Sequence, residues 1–175
     1  AAKHQSFFDA IMIVSAVQKP KFIMKHSLKY APVLGWFGLR IGCICVERGK
    51  RAQAIKSMVA EVKSGKAPAG QLIIYPQGTR IAPGVSAPYK IGTAVLYQET
   101  GQICVPAATN VGVFWPKYGI LRQPGLAVVE FLPAIQSGLD NEEFMHRLEE
   151  VIEQSSNALL EEAAADRFYP LGRDT

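Results

Sequence analysis

Short apolar runs alternate with helical stretches along this chain, and that alternation constrains the fold more than any other feature. Apolar runs typical of strands occupy 21–25, 43–46, 71–75, 103–113 and 126–132. Helical patterns occupy 7–17, 52–66, 90–100 and 140–165, and two short helical pieces are expected within 26–42. Strands that alternate with helices are typical of an α/β fold. The sequence therefore predicts a largely parallel central sheet flanked by helices, with a long C-terminal amphipathic helix.

The length of 175 residues and the hydrophobic content of 49% predict a single folded domain over 1–175. No apolar run reaches the roughly 18 residues of a transmembrane helix. Neither a zinc-type Cys/His spacing nor a dinucleotide fingerprint is present, so we expect no metal and no organic cofactor. A chemically useful histidine, His4, lies almost at the terminus, and we expect that the domain lacks an upstream N-terminal segment.

The charge is divided unevenly between the two halves of the chain. Residues 1–90 hold 14 Lys/Arg and three Asp/Glu, whereas residues 91–175 hold five and 12, so +11 and −7 sum to the formal +4. A basic half suits an anionic partner such as a phosphate, a nucleic acid or an acidic lipid surface. Nucleic acid is disfavoured because no recognised binding motif is present. The alternative is an ordinary solvated surface with a chance asymmetry.

The first candidate site pairs His4 with Asp9, five positions later. An imidazole with a pKa of about 6.5 can take a proton from an alcohol near neutral pH. It does so when a carboxylate holds one tautomer and stabilises the imidazolium. The spacing permits this contact if His4 lies in a turn and Asp9 in the first helical turn. From these two residues alone, the sequence favours a surface histidine near a helix start over a catalytic pair.

The second candidate site follows the apolar run 71–75, where Gly78, Thr79 and Arg80 form a glycine-containing basic loop. Glycine lets the backbone approach a ligand, and the guanidinium fork matches a phosphate. Arg48 follows the preceding strand pattern with other basic residues, and Lys25 ends an earlier one. Because ligands bind at the carboxyl ends of parallel strands, the loops after 43–46 and 71–75 form one basic pocket if these two strands are neighbours. The alternative is a set of loops with solvated cations.

The segment 26–42 combines aromatic and aliphatic residues with Lys29 and Arg40. Such a segment can lie in a membrane interface, with rings at headgroup depth and lysines reaching phosphates. It can equally be a core helix followed by a loop, and the sequence leaves both interpretations open.

Taken together, these stretches resemble the glycerolipid acyltransferase family, specifically the 1-acylglycerol-3-phosphate acyltransferases. Four blocks follow the family's order. Residues 4–9 match its His-x4-Asp block, and residues 45–48 are similar to the second block, which ends in arginine. Residues 75–80 read Tyr-Pro-Gln-Gly-Thr-Arg where the family usually has Phe-Pro-Glu-Gly-Thr-Arg. Residues 105–107 resemble the fourth block, a Val-Pro turn after a strand.

The resemblance implies transfer of an acyl group from a thioester of coenzyme A or acyl carrier protein to the free hydroxyl of lysophosphatidic acid. His4 would be the general base and Asp9 its orienting carboxylate. The residues it implies for the acceptor phosphate are Arg48, Arg80, Lys25, Gly78 and Thr79. It also implies a membrane-associated protein at the cytoplasmic face. Two alternatives stay open: another acceptor, such as glycerol 3-phosphate or a different lysolipid, and a catalytically silent lipid-binding module.

Gln77 departs from the family's pattern, which usually has glutamate at this position. Glutamine keeps the length and one acceptor oxygen but lacks the negative charge. Beside a bound phosphate, losing a negative charge carries little electrostatic cost, so we expect Gln77 to position the loop. If the family's carboxylate instead acts as an acid or base, this chain is impaired.

Overall fold

The computed structural model describes residues 1–40, 43–46, 56, 59–60, 63–64 and 70–168. Apart from the predicted helix 52–66, the predicted strands and helices are present in order, with a 3₁₀ helix at His26–Tyr30 and a short additional helix at Val111–Phe114. The strands are β1 Pro20–Lys25, β2 Ile44–Val46, β3 Gln71–Ile73, β4 Ala107–Thr109 and β5 Val129–Phe131. The helices are α1 Phe7–Ala16, α2 Leu34–Arg40, α3 Gly92–Thr100, α4 Val111–Phe114 and α5 Asn141–Phe168.

A parallel three-stranded sheet forms one part of the fold, with β1 between β2 and β3. In its register Ile23 pairs with Ile44, and Phe22 pairs with Ile73. A second, antiparallel pair joins β4 to β5. The predicted α/β fold with a largely parallel sheet is therefore confirmed.

Residues 1–3 lie between the two sheets and hydrogen-bond to both. The Ala2 amide donates to the Ile74 carbonyl, just past β3, over 2.9 Å. On the other side the Lys3 amide donates to the Ala107 carbonyl over 2.9 Å, and Ala107 pairs in parallel with Ala2. His4 follows directly, so the N-terminal segment brings the imidazole to the carboxyl end of β3.

Helix α5 is the predicted C-terminal amphipathic helix, and it contributes the largest fully buried apolar side chains of the core. Phe144, Leu148 and Ile152 recur every four residues and are fully buried, so they form one face of this helix. They pack against α3, where the Tyr97 ring stacks on Phe144 with centroids 3.9 Å apart. Fully burying each such side chain stabilises the fold by about 1.5–3 kcal/mol.

Two predictions for the middle of the chain have different outcomes. The run 103–113, expected as a strand interrupted by Pro106, keeps only β4 in regular pairing and turns into α4 at Val111. Pro106 lacks an amide proton, so it cannot donate a strand-pairing hydrogen bond just before β4. In α4, Gly112 packs so closely against Gln5 that a side chain at position 112 would collide with it. The predicted helix 52–66 falls largely outside the described residues. In the part of the chain that is described, no helix has the length and apolar character needed to cross a membrane.

Candidate active site

His4 and Asp9 meet in the structure as their spacing predicts. The His4 Nδ1 lies 2.8 Å from Asp9 Oδ1, with His4 in the turn before α1 and Asp9 in its first turn. The Asp9 carboxylate is fully buried, whereas the His4 side chain keeps some exposure. Since Nδ1 is engaged by the carboxylate, Nε2 is the nitrogen left for a ligand.

Asp9 is held by the start of α1 as well as by the imidazole. Its Oδ2 accepts hydrogen bonds from the amides of Gln5 and Ser6, each over 2.7 Å. The Ser6 hydroxyl accepts from the Phe8 amide over 3.1 Å, which completes a capping box with Asp9. The dipole of the helix also favours a negative charge in this first turn. The local sequence that starts the helix therefore also fixes the carboxylate behind the imidazole.

The Tyr75 ring packs against the face of the His4 imidazole. The two ring centroids are 3.9 Å apart and the planes differ by 18°. Burial raises the pKa of the Tyr75 hydroxyl, and the negative charge of Asp9 raises it further. The buried hydroxyl has no hydrogen-bond partner among the described residues. Tyr75 therefore stays a neutral ring that limits how the imidazole can rotate.

The loop after β3 is tied to the His4 turn. The Ile81 amide donates to the His4 carbonyl over 2.8 Å, and the Gly78 amide donates to the Tyr75 carbonyl over 2.8 Å. Gly78 has a φ of 70°, a left-handed conformation that side chains disfavour. These contacts bring the two predicted site stretches together, although the 65 residues 10–74 separate them in sequence.

Lys90 is a cation of this site that the sequence did not single out. A β-carbon built on Gly78 would lie 2.5 Å from Lys90 Nζ, so the ammonium sits directly against the glycine. The Lys90 amide also donates to the Pro76 carbonyl over 2.9 Å. No motif marks this lysine, because its proximity depends on the path of the loop 81–89.

Gln77 is buried beneath the same loop. Its Nε2 donates to the Ala87 carbonyl over 3.3 Å, which fastens the loop to the segment that precedes Lys90. Its Oε1 is buried and has no hydrogen-bond partner among the described residues. These contacts agree with a structural role for the side chain, and the loop-positioning role stays a prediction.

The predicted phosphate-binding residues are described unevenly. Arg80 is partly exposed, and its guanidinium makes no ion pair with the residues that the structure covers. Its carbonyl accepts a hydrogen bond from Lys117 Nζ over 3.0 Å, and Thr79 beside it is exposed. Lys25 is the last residue of β1, but its side chain lies outside the described residues, as does all of Arg48.

An ion pair between a buried lysine and a partly exposed glutamate fixes the residue before His4. Lys3 Nζ lies 2.6 Å from each carboxylate oxygen of Glu153 on α5, and the Tyr89 hydroxyl donates to Glu153 Oε1 over 2.9 Å. Burial raises the pKa of Tyr89, and the charge of Glu153 raises it further. The pair anchors the His4 turn to the C-terminal helix, and nothing in the sequence pattern signalled it.

A cavity of about 710 Å³ adjoins the site but does not contain it. It is lined by residues of β3 and α3, by residues 102–105 and by Ala1 and Ala2. His4 and Asp9 are not among its lining residues. The His4–Asp9 pair therefore lies at the carboxyl end of β3 and outside this cavity.

Together the fold and the site define a class of protein: a mixed α/β domain in which a histidine, paired with a buried aspartate, lies beside a glycine-arginine turn at a strand end. A family model described as "Acyltransferase" matches residues 1–110, which is more than half of the chain. The protein belongs to this acyltransferase family.

Relatives and a solved structure extend the comparison. The chain is 27% identical over 136 residues to the 1-acyl-sn-glycerol-3-phosphate acyltransferase of Pseudomonas aeruginosa, covering 78% of this chain and 53% of the relative. It is 29% identical over 166 residues to the Saccharomyces cerevisiae protein of the same name, covering 91% and 54%. The chain therefore spans about half the length of these curated relatives.

The fold is similar to the crystal structure of the 1-acyl-sn-glycerophosphate (LPA) acyltransferase PlsC from Thermotoga maritima. The TM-score is 0.75 at 23% identity, and the match covers 90% of this chain and 64% of the other. At this identity the likeness supports the fold rather than the roles of single residues.

Proposed function

We propose that the protein transfers a fatty acyl group from an acyl thioester to the free hydroxyl of lysophosphatidic acid, giving phosphatidic acid. The observation that carries the proposal is the 2.8 Å contact between His4 Nδ1 and a fully buried Asp9. Relatives named 1-acyl-sn-glycerol-3-phosphate acyltransferase support the choice of reaction. The family membership supports acyl transfer more generally.

His4 is proposed as the general base. Its Nε2 takes the proton of the acceptor hydroxyl while that oxygen attacks the thioester carbonyl, a role that contributes about 10²–10⁴-fold in rate. The tetrahedral intermediate collapses as the carbon–sulfur bond breaks, and the imidazolium returns the proton to the leaving thiolate. An ester and a free thiol result, so the protein finishes unchanged. Asp9 stabilises the imidazolium between these steps.

Arg80, Thr79 and Gly78 are proposed to hold the acceptor phosphate. The Arg80 guanidinium can bond a phosphate in a bidentate manner, and the Thr79 hydroxyl is exposed beside it. Lys90, which lies against Gly78, adds a further positive charge at the same loop. Each hydrogen bond to a charged group contributes about 1.5–3 kcal/mol.

Three further residues enter from the family resemblance. Arg48 and Lys25 are proposed as additional phosphate ligands, since Lys25 ends β1, Arg48 comes two residues after β2, and these parallel strands end at the same edge of the sheet as β3. Gln77 is proposed to position the loop through its bond to the Ala87 carbonyl. The side-chain amide of Gln77 is neutral, so this positioning role does not require a charge.

The proposed partners are a lysophospholipid acceptor, an acyl-CoA or acyl carrier protein donor, and a membrane surface on the cytoplasmic side. The reaction as written needs no metal and no organic cofactor, because the donor thioester is itself activated. Nucleic acid is not part of the proposal.

The test is product analysis after incubation with lysophosphatidic acid and labelled acyl donors. We expect labelled phosphatidic acid with acyl-CoA or with acyl carrier protein, and the two donors are compared at equal concentration. Glycerol 3-phosphate and lysolipids with other headgroups serve as competing acceptors. Label that appears in one of those products and not in phosphatidic acid would replace the acceptor. Absence of label from every lipid product would refute acyl transfer by this chain.

A further inference from the structure

The loop 115–126, which follows α4, exposes apolar side chains at its tip. Tyr118 is 76% exposed, Ile120 is 91% exposed and Leu121 is 81% exposed. Single exposed apolar residues are ordinary on a protein surface, but neighbouring ones on one loop mark an interaction surface. Gly119 between them has a φ of 89°, so the tip turns sharply.

The base of this loop is built to hold the tip outward. The Gln123 amide donates to the Phe114 carbonyl over 2.9 Å, and the Asn110 side-chain amide donates to the Leu126 carbonyl over 3.3 Å. Gly125 packs so closely on the ring of Phe114 that a β-carbon there would lie 2.0 Å from it. The exposure of the tip is therefore a consequence of a fixed loop conformation.

The loop lies beside the candidate active site. Its first residue, Trp115, stacks on Phe8 of α1 with centroids 4.8 Å apart. Lys117 Nζ donates to the carbonyl of Arg80 over 3.0 Å. Phe7 and Ile11, four residues apart on α1, are also about half exposed, so the apolar surface continues onto the helix that carries Asp9.

Positive charges border the apolar tip. Lys117 and Arg122 flank it, and the stretch 101–129 contains no aspartate or glutamate. The Arg122 guanidinium lies 4.3 Å from the Trp115 ring centroid and donates to the carbonyls of Gly119 and Leu121. An apolar tip with a basic border is complementary to a bilayer whose surface is anionic.

We infer that the loop 115–126 docks the protein on an anionic lipid bilayer, with Ile120 and Leu121 entering the acyl-chain boundary. Lys117 and Arg122 then lie at headgroup depth, and Tyr118 has the amphipathic ring typical of that interface. The inference rests on the proposed function in one respect: an enzyme that acts on a lysophospholipid needs contact with the bilayer that holds this acceptor. It assigns the bilayer contact to one surface, the loop 115–126.

Vesicle flotation tests the surface without any substrate. The full chain is mixed with vesicles of phosphatidylcholine alone or with added phosphatidylglycerol, and bound protein is measured. We expect binding to the anionic vesicles, reduced at least about tenfold by Ile120→Ser with Leu121→Ser. Ile103→Ser is the matched control, because Ile103 is 58% exposed but precedes β4, at the other end of that strand.

Several outcomes would overturn the inference. Equal flotation of the double variant and the wild type would remove the loop from the contact. Loss of binding on changing Trp36 and Phe37 of α2 alone, with the loop variant unaffected, would assign the bilayer contact to that helix. Concentration-dependent dimerisation in solution that only the loop variant loses would assign the surface to a second copy. Binding to acidic acyl carrier protein but not to vesicles would identify a protein partner instead.

A second measurement covers the case in which the double variant fails to fold. Ile120→Trp and Ile103→Trp are compared with the parent protein for added fluorescence quenching by brominated lipids in anionic vesicles. Quenching at position 120 and not at 103 is expected, and the reverse would contradict the inference.

Rates of acyl transfer to a water-soluble and to a membrane-embedded acceptor distinguish failure of this inference from failure of the proposed function. With a short-chain lysophosphatidic acid kept monomeric in water, the Ile120→Ser/Leu121→Ser variant should transfer as fast as the wild type. With the acceptor embedded in vesicles, it should be at least about tenfold slower. If the wild type acylates neither acceptor, the proposed function fails, and flotation still decides the role of the loop.

Discussion

Replacing Asp9 by asparagine removes one charge and reverses one hydrogen-bond direction at the candidate active site. In the native protein, Oδ2 accepts from the amides of Gln5 and Ser6 at 2.7 Å, and Oδ1 meets His4 Nδ1 at 2.8 Å. The two backbone amides must face an oxygen, so the asparagine carbonyl takes that position. Its NH₂ group then faces His4, and Nδ1 must accept. The proton is thereby moved to Nε2, which can no longer take one from the substrate.

The magnitude of the effect differs between activity and stability. A histidine held in the wrong tautomer costs up to about 10⁴-fold in turnover, as triad variants of this kind indicate. The three hydrogen bonds lose their charge assistance but keep their geometry, which lowers the free energy of unfolding by about 2 kcal/mol. Activity should therefore fall far more than folding does.

The assay measures acyl transfer and thermal unfolding for Asp9→Asn and for a matched control. Asp140→Asn is that control, because Asp140 Oδ1 accepts from the Glu143 amide over 2.8 Å at the start of α5, far along the chain from His4. We expect Asp140→Asn to keep wild-type turnover. A folded Asp9→Asn protein with more than about a tenth of wild-type turnover would refute the tautomer argument.

Three further predictions concern the loop after β3. Gly78→Ala should lower turnover at least about tenfold, because a φ of 70° is strained for alanine and the added methyl group would displace the Lys90 ammonium; full activity would contradict this. Tyr75→Phe should keep the stack on His4 and leave the melting temperature equal or higher, since the buried hydroxyl has no partner among the described residues, whereas Tyr75→Leu should slow transfer. Gln77→Glu should not raise turnover, because a carboxylate cannot donate the hydrogen bond that Gln77 Nε2 gives to the Ala87 carbonyl; a large gain would show that this position acts as an acid or base.

The fold was predictable because its strands and helices differ clearly in pattern. The buried positions of α5 recur every four residues, and short apolar runs mark β1 and β3. The run 103–113 misled, because its apolar residues continue through the short α4, where Val111 and Phe114 are buried as a helical turn. Periodicity alone does not separate a short buried helix from a strand.

The His4–Asp9 contact was predictable because it is local. His4 precedes the helix and Asp9 lies in its first turn, which brings two residues five positions apart into contact. The N-cap residue Ser6, which marks the helix start, belongs to the same short stretch. The positions of Lys90, Lys117 and Glu153 were not predictable. Each reaches the site across a long sequence separation, through loop paths and helix packing that no local pattern specifies.

The central claim is that His4 removes the proton from the acceptor hydroxyl, and its most direct test is the rate of phosphatidic acid formation by His4→Ala beside the wild type. With labelled acyl donor and lysophosphatidic acid at saturation, we expect the variant to be slower by about 10²–10⁴-fold while it remains folded. Equal rates of labelled phosphatidic acid formation by the two proteins would contradict the claim.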